Sequence, residues 1–299
     1  MAAAVVAPLA ALLTLSLAPG ASAAIDPTTY QHVEKSHDIS WGSDGGGGFV
    51  SCPAGTQAVA SGAATTGLQD ILAAGPMTTF TGLSGWARAR GPLGDHVAVS
   101  ARCVDAAQLQ GSTLAPTVTK RDDRLFRTGS VTARTDCPRG TVAYGGGGFS
   151  GGAAQPRAAE SVFASVPDAA GTGWVYGVWD PFFSPSEATV TAHCLPRAQF
   201  GELATVYATA EYPPGWPPSS GYPTVQATAR CPAGFYAYGG GAFVHMAYTP
   251  TPERVGWLTV STMTADDRGW YARGMPWLPG AQISAQVQCM TKGFIDKTK

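Results

Sequence analysis

Charge is scarce in this sequence. Only 13% of its 299 residues are Asp, Glu, Lys or Arg, against roughly 25% in average globular chains, and the formal net charge is −1. The 19 Lys and Arg are scattered, so the basic footprint of a phosphate-backbone binder is missing and no nucleic acid is expected as a partner. A Cys-x-x-Cys pair is also missing, which leaves no metal knuckle and no expected metal or cofactor. No window of useful length holds a helical period. After the N-terminal segment no apolar run approaches the roughly 20 residues of a membrane span, so no span is expected. Glycine (38) and proline (23) are plentiful, and with the other absences they point to turn-rich, all-β structure.

The N-terminus bears on compartment. Ala2 to Leu17 is an apolar run, followed by Pro19-Gly20 and then by Ala21-Ser22-Ala23. Small residues behind a short hydrophobic core are the pattern read by signal peptidase. Residues 1–23 are therefore expected to be an export signal, and the mature chain to start near Ala24 as a secreted, extracellular protein.

An internal repeat organises the rest. CPAGTQAVASGA begins at Cys52, CPRGTVAYGGGG at Cys137 and CPAGFYAYGGGA at Cys231. Each block is followed by a Gly-Trp pair (Gly85-Trp86, Gly173-Trp174, Gly269-Trp270) and then by a second cysteine, Cys103, Cys194 or Cys289. Upstream, Val33 and Val118 both lie 19 residues before their first cysteine. Val206 takes the same place in the third copy once the insertion Pro213-Pro214-Gly215-Trp216-Pro217-Pro218 is allowed for. The units run over 24–108, 109–199 and 200–299.

Before each closing cysteine the chain alternates. Val97, Val99, Ala101 and Cys103 share one parity, as do Ala188, Val190, Ala192 and Cys194, and Ile283, Ala285, Val287 and Cys289, while the other parity is polar. That is a strand with one buried face, found three times. The predicted fold is three tandem, disulfide-stapled, β-sandwich-like repeats. One closed pseudo-threefold β body is the alternative, and the Pro-rich insertion favours separate units.

In an exported chain, six cysteines that open and close each unit read as disulfides. A unit that arose by duplication carries its own staple, so the expected pairs are Cys52 with Cys103, Cys137 with Cys194 and Cys231 with Cys289. Closing such loops stabilises each unit by about 4 kcal/mol in the chain-entropy model.

The glycine tract after Cys137 matches two chemical motifs in form. Gly146 to Gly151 reads G-x-G-x-x-G, and Gly148 to Gly152 reads G-x-S-x-G around Ser150. Both motifs need a helix behind the turn, yet Phe149-Ser150-Gly151-Gly152-Ala153-Ala154-Gln155-Pro156 has no helical pattern. A structural reading fits better. Positions six, eight and ten after each opening cysteine are small: Ala58, Ala60 and Gly62; Ala143, Gly145 and Gly147; Ala237, Gly239 and Gly241. A face without bulk admits a second sheet, the disulfide or a Trp ring. The first copy departs, with Ala58-Val59-Ala60-Ser61 in place of glycines, and is expected to pack differently.

The order Cys-Pro-x-Gly, Gly-rich tract, Gly-Trp, Cys resembles a module of exported bacterial proteins of the actinobacterial type. The resemblance spans all three units. It implies an extracellular β module and carries over no activity, cofactor or functional residues.

Three function classes follow. Eight Trp and ten Tyr on a low-charge extracellular scaffold point to a non-enzymatic binding module for glycan or cell-wall material, since aromatic faces stack on sugar rings. Trp86, Trp174 and Trp270 recur in every copy and read as core. The candidate ligand-binding residues are therefore those outside the pattern: Trp179, of opposite strand parity to Trp174, Trp216 in the Pro-rich insertion, and Trp277. A structural protein of an extracellular layer is the second class. A hydrolase is the third, with no catalytic residues assigned. Asp122-Asp123 and Asp266-Asp267 read as turns or solvated pairs, and adjacent Ser36-His37-Asp38 would alternate faces. Asp168 or Asp180 with His193 or His245 satisfies the chain order of a triad behind Ser150, but the βαβ context is lacking.

Overall fold

A computed structural model of the chain describes residues 24–39, 46–66, 70–79, 82–90, 95–122, 129–150, 161–180, 186–213, 223–246, 256–276 and 278–292. Among these residues there is no α-helix, only strands and three short 3-10 turns. The first repeat supplies β1 (Gln31–Asp38), β2 (Gly46–Ser51), β3 (Thr56–Thr65), β4 (Asp70–Thr79), β5 (Gly82–Arg90) and β6 (His96–Asp105). The second supplies β7 (Thr113–Leu114), β8 (Val118–Asp122), β9 (Gly129–Asp136), β10 (Thr141–Ser150), β11 (Ser161–Pro167), β12 (Gly173–Asp180) and β13 (Ser186–Pro196). The third supplies β14 (Leu203–Glu211), β15 (Val225–Arg230), β16 (Phe235–Met246), β17 (Gly256–Met263), β18 (Gly269–Pro276) and β19 (Ala281–Thr291).

The repeats do not stand apart. The strands form three sheets with the orders β1-β6-β3-β17-β18-β15, β2-β5-β4-β10-β13-β7 with β8 also on β13, and β14-β19-β16-β11-β12-β9. Every sheet joins three strands of one repeat to three or four of another, so the packed, pseudo-threefold arrangement is the one adopted. The seams between halves are narrow: Ala63 and Ala64 face Ser261 and Val260, Ala74 faces Gly148, and Ser165 and Ala164 face Ala242 and Phe243. Small residues on the tract strands β3, β10 and β16 let these seams close. The three bridges join Cys52 to Cys103, Cys137 to Cys194 and Cys231 to Cys289, each within one repeat. The Pro-rich insertion lies outside the described residues from Pro214 onward.

The glycines belong to packing, with one correction of parity. In all three copies the register slips beside the residue seven after the opening cysteine, so that Val59, Tyr144 and Tyr238 are bulged out of the ladder. The slip puts Ala143 opposite Cys194 but Gly145 opposite His193. Positions six and eight therefore lie on opposite faces, because one extra residue inverts everything beyond it. The cysteine-side face carries Gly146, and there a Trp ring does approach. A Cβ on Gly146 would lie 2.3 Å from Trp174 Cδ2, and one on Gly240 2.6 Å from Trp270 Cδ2. Each indole also donates a hydrogen bond, from Trp174 Nε1 to Ser165 Oγ (3.2 Å) and from Trp270 Nε1 to Ser261 Oγ (3.0 Å).

The first copy differs, and register shows how. Trp174 pairs with Thr135 and Trp270 with Ala229, each two residues before its opening cysteine. The residue that pairs two before Cys52, at Val50, is Gly85 and not Trp86. The Gly-Trp dipeptide of this copy is thus one residue out of step, and the side chain of Trp86 lies outside the described residues. Opposite Gly85 the tract carries Ser61 where its counterparts are Gly146 and Gly240. Trp over Gly in the second and third copies is replaced by Gly beside Ser in the first, so the first copy brings less bulk to this contact.

Truncating Trp174 to alanine is expected to cost about 3 to 5 kcal/mol, as for other buried Trp side chains. Because its sheet is shared between repeats, calorimetry should show one transition at lower temperature. A separate early transition for the second repeat would contradict the shared-sheet architecture.

Candidate functional site

Antiparallel order sends the chain to two ends of the body. One end carries the Cys-Pro-x-Gly turns and the tight connections from β11 to β12 and from β17 to β18. At the other end β3, β10 and β16 finish and β4, β11 and β17 begin. Trp179, near the end of β12, pairs there with Ser161, the first residue of β11. Trp257, the second residue of β17, comes alongside, and the two indoles stack with centroids 6.5 Å apart and planes 17° from parallel. Trp277 directly follows Pro276, whose cross-strand partner is Gly256. Trp216 belongs to the segment that leaves Tyr212, which is anchored by its backbone N–H to Ala281 O. Trp216 and Trp277 themselves lie outside the described residues.

The sequence placed Trp179 on an open face, and this is corrected. Its parity is opposite to that of Trp174 as expected, yet only 5% of the residue is exposed. Trp257, not singled out from the sequence, covers it and is itself half-buried. No local pattern joins two tryptophans 78 residues apart, because they sit in different sheets and different repeats. Trp179 is the floor of an aromatic pair, and Trp257 is the ring that meets solvent.

The opposite end shows what the polar residues do. The position before each closing cysteine holds Arg102, His193 and Gln288, all buried. Arg102 is ion-paired with Asp267 and donates from Nη2 to Thr264 O at 2.9 Å, so the first repeat grips the β17–β18 turn of the third. Gln288 lies against the β11–β12 turn of the second repeat, where a Cβ on Gly171 would come within 2.8 Å of its Nε2. Asp267 and Gly171 hold the same place in their turns, with φ of 55° and 69°, and each accepts a hydrogen bond from the alanine six after an opening cysteine. An aspartate tolerates that left-handed conformation better than most residues, and here its carboxylate meets the guanidinium. His193 lies 6.0 Å from the Tyr144 ring, and burial pushes its imidazole down to about 4.

The serine, histidine and aspartate candidates do not assemble as a triad among the described contacts. The Ser150 side chain and Asp180 lie outside the described side chains. Asp168 accepts from Arg134, Thr172 N and Thr172 Oγ1, and holds its turn. His37 bonds Phe49 O, while Asp38 pairs with His96, so Ser36-His37-Asp38 are divided between faces. His245 meets a serine outside that set. Its Nδ1 lies 2.8 Å from Met246 O, so that nitrogen must donate, and Nε2 accepts from Ser284 Oγ at 2.7 Å. Ser284 Oγ also lies 2.7 Å from Thr209 Oγ1. Ser284 is 2% exposed, and the chain of hydroxyls crosses from β16 through β19 to β14, tying three neighbouring strands. No group of three His, Cys, Asp or Glu that could hold a metal occurs among the described residues, and none of the described helices is long and apolar enough to cross a membrane.

No protein-family model matches the chain, and no curated protein matches it.

Proposed function

We propose that the protein is a secreted, non-catalytic binding module that recognises glycan or cell-wall material through the tryptophans at the end where β4, β11 and β17 begin. The stacked Trp179–Trp257 pair carries this reading. It sets a supported, part-exposed indole next to Gly256, whose partner Pro276 precedes Trp277 in the chain, and Tyr212, from which the chain runs on toward Trp216, is anchored at the same end. Indole faces bind pyranose rings by stacking and lose little entropy in doing so. Three disulfides suit an oxidising, extracellular setting, and the low charge suits a neutral ligand.

Retention of the mature protein on insoluble polysaccharides and bacterial cell walls tests the reading. Replacing Trp216 and Trp277 with alanine should abolish retention and, on the reading that both rings serve as exposed platforms, leave Tm nearly unchanged, since exposed substitutions usually cost within about 0.5 kcal/mol. If the unaltered protein is retained on none of these materials, the glycan reading fails and a layer-forming structural role replaces it.

A further inference from the structure

The approximate threefold axis passes through a cavity of about 20 Å³, with a second of about 10 Å³ continuing it. Both are bordered by Ser61, Gly146 and Gly240, the residues nine after each opening cysteine, and by Trp174 and Trp270. Around the larger one Ile71, Val162 and Leu258 supply matching apolar walls, one from each repeat. The symmetry fails at the indoles, because the register position that Trp174 and Trp270 occupy is Gly85 in the first repeat. Ala74 likewise stands at the register position of Ser165 and Ser261, which accept the two indole N–H groups.

Ser61 is the polar group this leaves behind. A Cβ on Gly85 would lie 3.0 Å from Ser61 Cβ, so the two are in contact where the other copies place Trp over Gly. Ser61 Oγ is shielded from bulk solvent and has no hydrogen-bond partner among the described residues. Leaving a buried hydroxyl unpaired costs about 1 to 3 kcal/mol. Ser165 and Ser261, on the same cavity wall, each accept from an indole and keep an O–H to donate. A cavity of roughly 10 to 15 Å³ or more accepts one water, provided that two to four polar partners surround it. The larger cavity is roomy enough, and the three serines are among the residues that line it.

We infer that the axis holds a structural water-binding site, in which one water bonds Ser61 Oγ and is reached by the Ser165 and Ser261 hydroxyls, in the space left by the missing third tryptophan. The site goes beyond the proposed glycan recognition and is independent of it. The water completes the core of a body whose threefold repeat is broken in one copy.

A high-resolution crystal structure of the mature protein should show a density peak at hydrogen-bond distance, roughly 2.6 to 3.2 Å, from Ser61 Oγ. An empty cavity, or one that takes up xenon under pressure in place of water, would overturn the site. A halide peak after a bromide soak would also overturn it. Variants give a second measure. Gly85→Trp alone should lower Tm by several degrees, because the ring meets Ser61. The triple variant Ser61→Gly, Ala74→Ser and Gly85→Trp should recover that loss and remove the peak. If Gly85→Trp alone is as stable as the parent, or the triple variant is less stable than Gly85→Trp, the assignment of the space to a missing indole is wrong.

Discussion

Replacing Arg102 with alanine should lower stability by about 3 kcal/mol, near the lower end of what breaking a buried ion pair costs. The guanidinium is 3% exposed and the Asp267 side chain 27%, so the abandoned carboxylate gains some solvent, which keeps the loss from being larger. The bond at stake joins the first repeat to the third. Its removal loosens the β17–β18 turn where Asp267 already sits at φ 55°. The molecule contains its own control, since the same corner between the third and second repeats is built from Gln288 and Gly171. Arg102→Gln with Asp267→Gly should therefore recover most of what Arg102→Ala loses. Urea denaturation of the single and double variants measures the coupling. Purely additive losses would mean that the two side chains do not act as a pair.

Acid should weaken the protein through His193. Burial holds its folded imidazole at about 4, while an unfolded chain has the ordinary value near 6.5. Between these values the unfolded chain takes up a proton that the folded one refuses. The contribution of neutral His193 is then complete above about pH 6.5 and is lost progressively as the pH falls toward 4. The full window is worth about 3 kcal/mol. His193→Gln copies the residue at the same position of the third repeat and should abolish that share. Denaturation of both proteins at pH 7 and pH 4.5 isolates it, because the carboxylates common to both cancel. Equal pH dependence in parent and variant would show that His193 is not the group responsible.

Much of this architecture can be read in the chain because the signals are local. Alternation before each closing cysteine marks a strand with one buried face, and the cysteine order within a duplicated unit marks its bridge. What the chain conceals is non-local or depends on a single added residue. The bulges at Val59, Tyr144 and Tyr238 invert parity inside the tract, so a face read by counting in twos ends at position six. The seams rest on a few small residues, such as Ala74 on Gly148, and nothing in either strand alone announces its partner. The Gly85-Trp86 pair looks equivalent to its two counterparts, yet one residue of slip gives the core position to the glycine. Trp179 alternates as expected and is buried all the same, because the ring that covers it comes from another repeat.

Sharing every sheet between two repeats also governs when the body can close. Thr65 Oγ1, at the end of β3, donates to Thr259 O in β17 across 194 residues of chain. Until β17 docks, β3 is an open sheet edge of small, uncharged residues, the type of edge that pairs with other chains. The first disulfide joins the residue after β2 to β6, but it does not cover β3. Closure of the first sheet therefore waits on the third repeat, and the vulnerable species is a chain whose first repeat is bridged before β17 reaches it.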